Sequence, residues 1–257
     1  MNGLDALETI SRECFRSFAV LPDAAVIADD DATGVVTDIP LTFFNGIGVS
    51  RLDPARADRR IEELIEPFRA RDRAFRWWVL PTSVPPDLAR LLAAHGFRKA
   101  YDSAGMAADL DDLPREGPEA SIARVTNDGE MEVFAEVLTT VFERPQSDTA
   151  YWRGAYGAFG YDQDAPWAHF VAFVGDTPAA TASVLLCGEV TGVYLVGTLP
   201  IARGRGLGSA VTLAALQHAR ERGARYAALQ SSEMAESVYR SLGFVSHCTL
   251  PLYEWRP

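Results

Sequence analysis

Lysine is almost missing from this 257-residue chain. Lys99 stands alone, and every other cation among the 24 Lys and Arg residues is an arginine. A Schiff base or a P-loop lysine is therefore confined to position 99. Positive charge is scarce altogether. The 35 Asp and Glu residues bring the formal net charge to −11. The chain thus lacks the basic footprint that nucleic acids and anionic membranes require. An anionic ligand has to be held by arginine or by backbone N–H groups. Cysteine is scarce too. Cys14, Cys187 and Cys248 are odd in number, far apart and form no Cys-x-x-Cys pair. This excludes a disulfide framework and suits a reducing cytoplasm. His95, His169, His218 and His247 show no metal-ligand spacing, so no metal is expected. No stretch approaches the ~18 apolar residues of a membrane span. There is no Gly-x-Ser-x-Gly elbow, and residues 1–16 lack the apolar run of a signal peptide.

What is present is ordinary globular material, 48% hydrophobic and 23% charged. The length allows one large domain or two smaller ones. The clearest break is the acidic, Pro- and Gly-containing stretch 111–118, read as a linker between domains at 1–112 and 118–257. Beyond it the pattern alternates between strand and helix. A helix is expected over 128–142, with Met131, Phe134, Val137, Leu138 and Val141 on one face. Strands are expected at 169–174, 179–187, 190–199 and 226–229, and helices at 206–222 and 232–242, stopped by Gly223 and Gly243. Two closing strands follow, from 244 and over 249–255. The first half reads as strand 43–52, helix 54–71, strand 75–80, helix 87–95 and strand 105–110.

The ends of the halves resemble each other. Leu91-Leu92-Ala93-Ala94-His95-Gly96-Phe97 matches Val238-Tyr239-Arg240-Ser241-Leu242-Gly243-Phe244 at an offset of 147 residues. The same offset lays residues 46–52 over 193–199. Two copies of one α/β unit are inferred.

The strongest local signal is Arg203-Gly204-Arg205-Gly206-Leu207-Gly208-Ser209, after an apolar strand and opening a helix. Glycines at such a turn let backbone approach a ligand, and the helix start offers unpaired N–H groups to phosphate. A P-loop is excluded, because no Gly-Lys-Ser/Thr follows. A dinucleotide fingerprint also fails. Ser209 stands where its third glycine belongs, and the strand at 226–229 ends in Gln230 rather than a ribose-binding acid.

The remaining pattern, Arg203 with Gly206 and Gly208 after Pro200, resembles the coenzyme A pyrophosphate loop of the GNAT superfamily of N-acetyltransferases. Residues 238–244 resemble that family's Tyr-x-x-Leu-Gly-Phe stretch. The resemblance covers residues 118–257 and implies two GNAT-like α/β (α+β) mixed-sheet units in tandem, the N-terminal one degenerate. It implies acetyl-CoA as co-substrate and direct attack by a primary amine, of a small molecule or peptide, in a ternary complex. By position, the backbone at Val196, Gly197 and Thr198 would pair with the pantetheine arm. The loop Gly204, Arg205, Gly206, Leu207, Gly208 and Ser209 would hold the pyrophosphate, with Arg203 and Arg205 adding charge. Tyr239 falls on the general acid. Ser232 stands where many members carry an asparagine that touches the cofactor. The family's base position falls on Gly192, which has no side chain. Tyr194, two residues on and on the same strand face, is then the residue bordering the acceptor. Glu143, Asp162, Asp164 and Glu189 are the other candidates for the base, acting through water.

Phe142, Tyr151, Trp152, Tyr156, Phe159, Tyr161 and Trp167 crowd the segment where the family receives its acceptor. They read equally as an apolar pocket and as core. In the first half, Arg59 and Leu92 fall on positions 206 and 239, and Asp53 and Asp58 would repel pyrophosphate. No coenzyme A is expected there. Tandem units supply contacts that single units make by dimerising, so a monomer is expected over a homodimer. A coenzyme A-binding sensor without turnover, another acyl donor and a hydroxyl acceptor stay open as alternatives.

Overall fold

Helix-forming and strand-forming stretches alternate through the whole chain, so the fold is mixed α/β. The structure is a computed structural model and describes residues 1–114 and 116–257. Arg115, in the middle of the expected linker, lies outside the described residues. Helix α1 spans Gly3–Ser17 and strands β1, β2 and β3 span Ala25–Ala28, Ala32–Val36 and Gly46–Ser50. Next come α2 (Ala57–Ala70), β4 (Phe75–Trp78), α3 (Leu88–Ala94) and the long β5 (Arg98–Asp109). The second half holds β6 (Ser121–Arg124), α4 (Asp128–Val141), α5 (Thr149–Gly157), β7 (Trp167–Val174), β8 (Thr177–Cys187) and β9 (Val190–Thr198). It closes with α6 (Leu207–Glu221), β10 (Tyr226–Ser231), α7 (Glu236–Ser241) and β11 (Val245–Trp255).

Contacts divide the described chain into two compact units. The first comprises Asn2–Gly105, Gln230–Glu233 and His247–Pro257. The second comprises Met106–Leu229 and Met234–Ser246, with Met1. Neither is one continuous stretch, whereas composition alone suggests 1–112 and 118–257. The first unit's leading stretch ends at Gly105 rather than 112, and its other pieces are residues 230–233 and, largest, the closing strand β11. It pairs antiparallel with β4, placing Leu252 against Trp78 and Trp255 against Phe75. The last strand of the chain therefore belongs to the sheet of the first unit, in the order β1-β2-β3-β4-β11. It is also one strand, where the sequence suggests two.

Helix α1 is absent from the expected elements, yet its signals are present. The Asn2 side chain accepts the Asp5 N–H at 2.9 Å, and Leu7, Ile10 and Phe15 form its buried stripe. In the first unit's core, Ile61, Leu64, Ile65 and Phe68 of α2 meet Phe75, Trp77, Leu92, Phe97 and Trp255. Phe68 and Phe75 lie parallel, 3.7 Å between ring centres.

The second unit builds its sheet in the order β10-β9-β8-β7-β6. Strands β6 to β9 are antiparallel neighbours, and β10 runs parallel to β9. Helix α4 starts on Asn127, whose side chain accepts the Glu130 N–H at 3.0 Å. Among the described residues no helix is long and apolar enough to cross a membrane.

Strand β11 buries Leu250, Leu252 and Trp255 within the first unit. Each such side chain contributes about 2 kcal/mol, against a net domain stability of about 5–15 kcal/mol. Deleting residues 247–257 is therefore expected to unfold the first unit. Limited proteolysis of the truncated chain should cut within 2–105. Resistance equal to that of the full chain contradicts this.

Candidate active site

Strand β9 carries the main irregularity of the second unit. Its ladder with β8 runs regularly from Cys187↔Val190 to Ser183↔Tyr194, then resumes at Thr181↔Gly197 and Ala180↔Thr198. Leu195 and Val196 together face the single residue Ala182, which makes a β-bulge. Leu195 sits in the left-handed region, at φ 55°. That conformation is strained for a branched residue and is a mark of built geometry. The Leu195 carbonyl is held by the Thr181 hydroxyl, which donates to it at 2.9 Å from a fully buried position.

The other edge of β9 opens at almost the same place. Its parallel ladder with β10 covers Tyr226↔Val190, Ala227↔Thr191 and Ala228↔Gly192, and goes no further. From Val193 onward the two strands part. Val196, Gly197 and Thr198 are half-buried there, so their edge is reachable. The sequence contains the glycine at 197 but no sign of the bulge, because its left-handed residue is a leucine.

The chain then turns through Pro200–Ala202 into the glycine loop. Gly204 and Gly206 both take left-handed conformations, at φ 76° and 75°. Gly206 is the N-cap of α6 and its carbonyl accepts the Ala210 N–H at 2.9 Å. A Cβ at Gly206 would come within 2.8 Å of the Pro118 ring as well as straining the backbone. Glycine brings no capping side chain, so the first N–H groups of a 15-residue helix are left for a ligand. Arg203, Gly204 and Arg205 are exposed, while Gly208 and Ser209 are half-buried. Arg203 donates from Nε to the Thr198 carbonyl at 3.2 Å, tying the loop to the end of β9.

Tyr239 lies on α7, nearly buried, its ring edge-on to Phe244 at 5.9 Å. Burial raises its phenol above the ordinary value, so it holds its proton at neutral pH. Tyr194 leans back over Gly192. A Cβ on Gly192 would lie 2.4 Å from the Tyr194 ring and 3.1 Å from its hydroxyl. The ring fills the space a side chain at 192 would take. Trp167 lies beside it, 5.2 Å between ring centres. Ser232 is exposed and is grouped with the first unit.

The aromatic residues form a continuous chain of ring contacts, stacked at first and edge-to-face between Tyr156 and Trp167. Phe142 meets Trp152, Trp152 meets Tyr156, and Tyr156 meets Trp167. Trp152, Tyr156 and Trp167 are buried as core, while Phe142 and Tyr151 are exposed at its border. Tyr161 donates from its hydroxyl to Asp128 at 2.8 Å. The four acids lie at the surface. Asp164 reaches Arg222 at 3.4 Å and Glu189 reaches Arg225 at 3.7 Å, while Glu143 and Asp162 are exposed. Among the described residues no cluster of three or more potential metal ligands is formed.

One buried polar pair has no counterpart in the sequence reading. His169 of β7 sits opposite Ser183 of β8, which sits opposite Tyr194 of β9. The His169 Nδ1 and the Ser183 hydroxyl are 2.7 Å apart, and Nε2 has no hydrogen-bond partner among the described residues. Trp167 stacks parallel to the imidazole at 6.1 Å. Burial, with a smaller contribution from Arg124, pushes the imidazole down to about 3. The ring stays neutral in this buried position.

Residues 131–244 match the model of the Acetyltransferase (GNAT) family. Over 55 residues the chain is 49% identical to a mycothiol acetyltransferase of Saccharomonospora viridis, covering 20% of this chain and 18% of that protein. The chain therefore spans about a fifth of that curated relative. Among solved structures, a GCN5-related N-acetyltransferase from Kribbella flavida superposes with a TM-score of 0.74 at 23% identity, over 98% of this chain and 95% of its own. A tandem GNAT protein from the clavulanic acid biosynthesis pathway superposes with a TM-score of 0.59 at 18% identity, over 91% and 84%.

The depressed His169 value has a consequence for stability. Between about pH 6.5, the imidazole's ordinary value, and about 3, the unfolded chain binds a proton that the folded chain does not. Stability contributed by this residue is present above pH 6.5 and is lost as pH falls through that window. Urea unfolding of wild type and His169→Gln between pH 7 and pH 4 should give a shallower pH slope in the variant. Equal slopes contradict it.

The bulged and parted strand, the glycine loop on a helix start and the match over residues 131–244 agree: this stretch of the second unit is similar to the acetyltransferase (GNAT) family.

Proposed function

We propose that the second unit transfers an acetyl group from acetyl-CoA to a primary amine of a small molecule or peptide, by direct attack with both substrates bound. The observation that carries this reading is the pairing of an open, bulged β9 edge with a left-handed glycine loop on α6. The donor set suits the cofactor. Helix-start N–H groups with Arg203 and Arg205 favour a pyrophosphate. A strand edge with free backbone from Val196 to Thr198 favours the amide-bearing pantetheine arm. Acetyl-CoA supplies an activated thioester.

Backbone N–H groups beside the bulge are the natural donors for negative charge developing on the acetyl oxygen, since they are fixed before reaction. The amine nitrogen forms the new C–N bond as the C–S bond breaks. Tyr239, protonated at neutral pH, gives its proton to the departing thiolate. With Gly192 lacking a side chain, the acceptor side is bordered by Tyr194 on its Trp167 support. The nitrogen's proton then leaves to a water or to a basic group of the acceptor. The absence of a carboxylate at 192 also favours a second reading, a coenzyme A-binding sensor without turnover.

Three experiments test this. Acetyl-CoA consumption is followed against a panel of amines and peptides by release of free thiol. Acceptor-dependent release supports the transferase, and tight binding without release supports the sensor. With an acceptor in hand, Tyr239→Phe should lower kcat by about 10²-fold while the acetyl-CoA Kd stays within about twofold of wild type. Unchanged kcat removes Tyr239 from the mechanism. Gly206→Ala, forced into a left-handed conformation costing about 1–2 kcal/mol, should weaken acetyl-CoA binding at least about tenfold. Unaltered affinity argues against the loop as the pyrophosphate site.

A further inference from the structure

The two units repeat one strand ladder, and they differ in what lies on its open edge. In the first unit Ala32 pairs with Ser50 and Thr33 with Val49, after which the register shifts and Gly34 pairs with Ile47. In the second, Ala180 pairs with Thr198 and Thr181 with Gly197, and the register shifts at the same step. The spacing is 148 residues on both strands, from Ala32 to Ala180 and from Ser50 to Thr198. The next bond repeats as well. The Arg51 N–H donates to the Asp31 carbonyl at 2.7 Å, as the Leu199 N–H does to the Ala179 carbonyl at 2.8 Å. The offset of 147 that aligns the two helix-Gly-Phe stretches is thus one residue short for the strands. Strand β3 also has a parallel neighbour from which it parts. Its ladder with β4 covers Gly46↔Arg76 and Ile47↔Trp77 only.

In the second unit the edge beyond the parting is half-buried. In the first it is sealed: Val49 is 5% exposed, and Ser50 and Leu52 are fully buried. Two of the unit's own groups close it. The Trp77 indole on β4 donates to the Ser50 hydroxyl at 3.1 Å, across the gap between the strands. Val84 then lies alongside β3 like a short parallel strand. Its N–H donates to the Ser50 carbonyl at 3.2 Å, and its carbonyl accepts the Leu52 N–H at 2.9 Å. A tight turn delivers it. The Ser83 N–H donates to the Leu80 carbonyl at 2.9 Å, and the Ser83 hydroxyl accepts the Leu80 N–H at 3.0 Å.

The second unit has removed the groups that would hold such a strap. By the ladder, Leu52 falls on Pro200, which has no N–H to give. Ser50 falls on Thr198, whose carbonyl accepts from Arg203 instead. The anion end differs in the same sense. A cavity of about 240 Å³ at the start of α2 is lined by Asp31, Asp53, Arg56, Arg59, Arg60 and Glu63. Asp31 takes Arg60 at 3.0 Å, and Asp29 pairs with the same guanidinium. Carboxylates already hold the central cation there, and an incoming pyrophosphate would face Asp31 and Asp53.

We infer that residues 80–85 are a built-in strap occupying the groove of the first unit that corresponds to the acetyl-CoA groove of the second, so that each chain binds one cofactor and the first unit's groove is permanently closed. This rests on the reading of β9 and its loop as the cofactor site.

Hydrogen exchange on the full chain, with and without acetyl-CoA, tests it, together with calorimetric stoichiometry. The amides of Leu52 and Val84 are expected to be protected in the free chain and unchanged by acetyl-CoA. Residues 196–209 should gain protection, with one cofactor bound per chain. Val84→Pro, which deletes the N–H given to Ser50, should raise exchange at Leu52 at least tenfold. Fast exchange at Leu52 and Val84 in the free chain overturns the strap. So does protection gained over 49–52 on adding acetyl-CoA, or a stoichiometry of two. If acetyl-CoA protects nothing and does not bind, the proposed function falls. Leu52 and Val84 in the free chain then still decide whether the groove is strapped.

Discussion

The site proposed in the second unit depends on one extra residue in β9. A regular strand would present its edge to β10 along its whole length and leave no backbone for a ligand. The bulge at Leu195 and Val196 changes the strand's direction just after its pairing with β10 ends. The cost is a leucine in the left-handed region, and the Thr181 hydroxyl fixes the carbonyl that results. Beyond the bulge β9 rejoins β8 in register, so the opening faces one side only. The loop from Arg203 to Gly206 then starts α6 where the opened edge ends, and Arg203 ties the two together through the Thr198 carbonyl.

Electrostatics follow the same local logic. A net charge of −11 is unfavourable to a polyanion at long range. The proposed site would answer with oriented N–H groups and two arginines rather than with a basic surface. Backbone donors carry no counter-charge to be neutralised and cannot be shifted by pH. The acidic remainder of the surface suits approach by a cationic amine. In the first unit, a single arginine in the first turn of α2, Arg60, is held by Asp29, Asp31 and Glu63, and the same residue type serves structure instead.

The loop could be read from the sequence because its chemistry needs glycine, and glycine at a strand-to-helix turn is visible in one dimension. Most helices and strands were legible from their apolar spacing. Helix α5 was not, since Thr149–Gly157 mixes glycine and aromatics without a clean period. The aromatic density around it could equally mean pocket or core, and burial of Trp152, Tyr156 and Trp167 decides for core. The bulge escaped because its strained residue is leucine. The His169–Ser183 pair escaped because its partners are cross-strand neighbours fourteen residues apart. The return of β11 to β4 escaped because strand pairing over so many residues has no local signature. The repeat was visible in its helix-Gly-Phe ends, yet a one-residue difference between halves shifted the strands. That shift matters, since it moves Leu52 from a leucine onto Pro200.

The central claim is that the open edge of β9 and the loop of α6 together receive acetyl-CoA. A crystal structure of the acetyl-CoA complex tests it most directly. The account predicts pyrophosphate oxygens on the N–H groups at 204–209 and the thioester carbonyl within hydrogen-bond distance of a β9 amide between Val193 and Thr198. Cofactor bound elsewhere on the chain, or lying on the loop with no contact to β9, would contradict it.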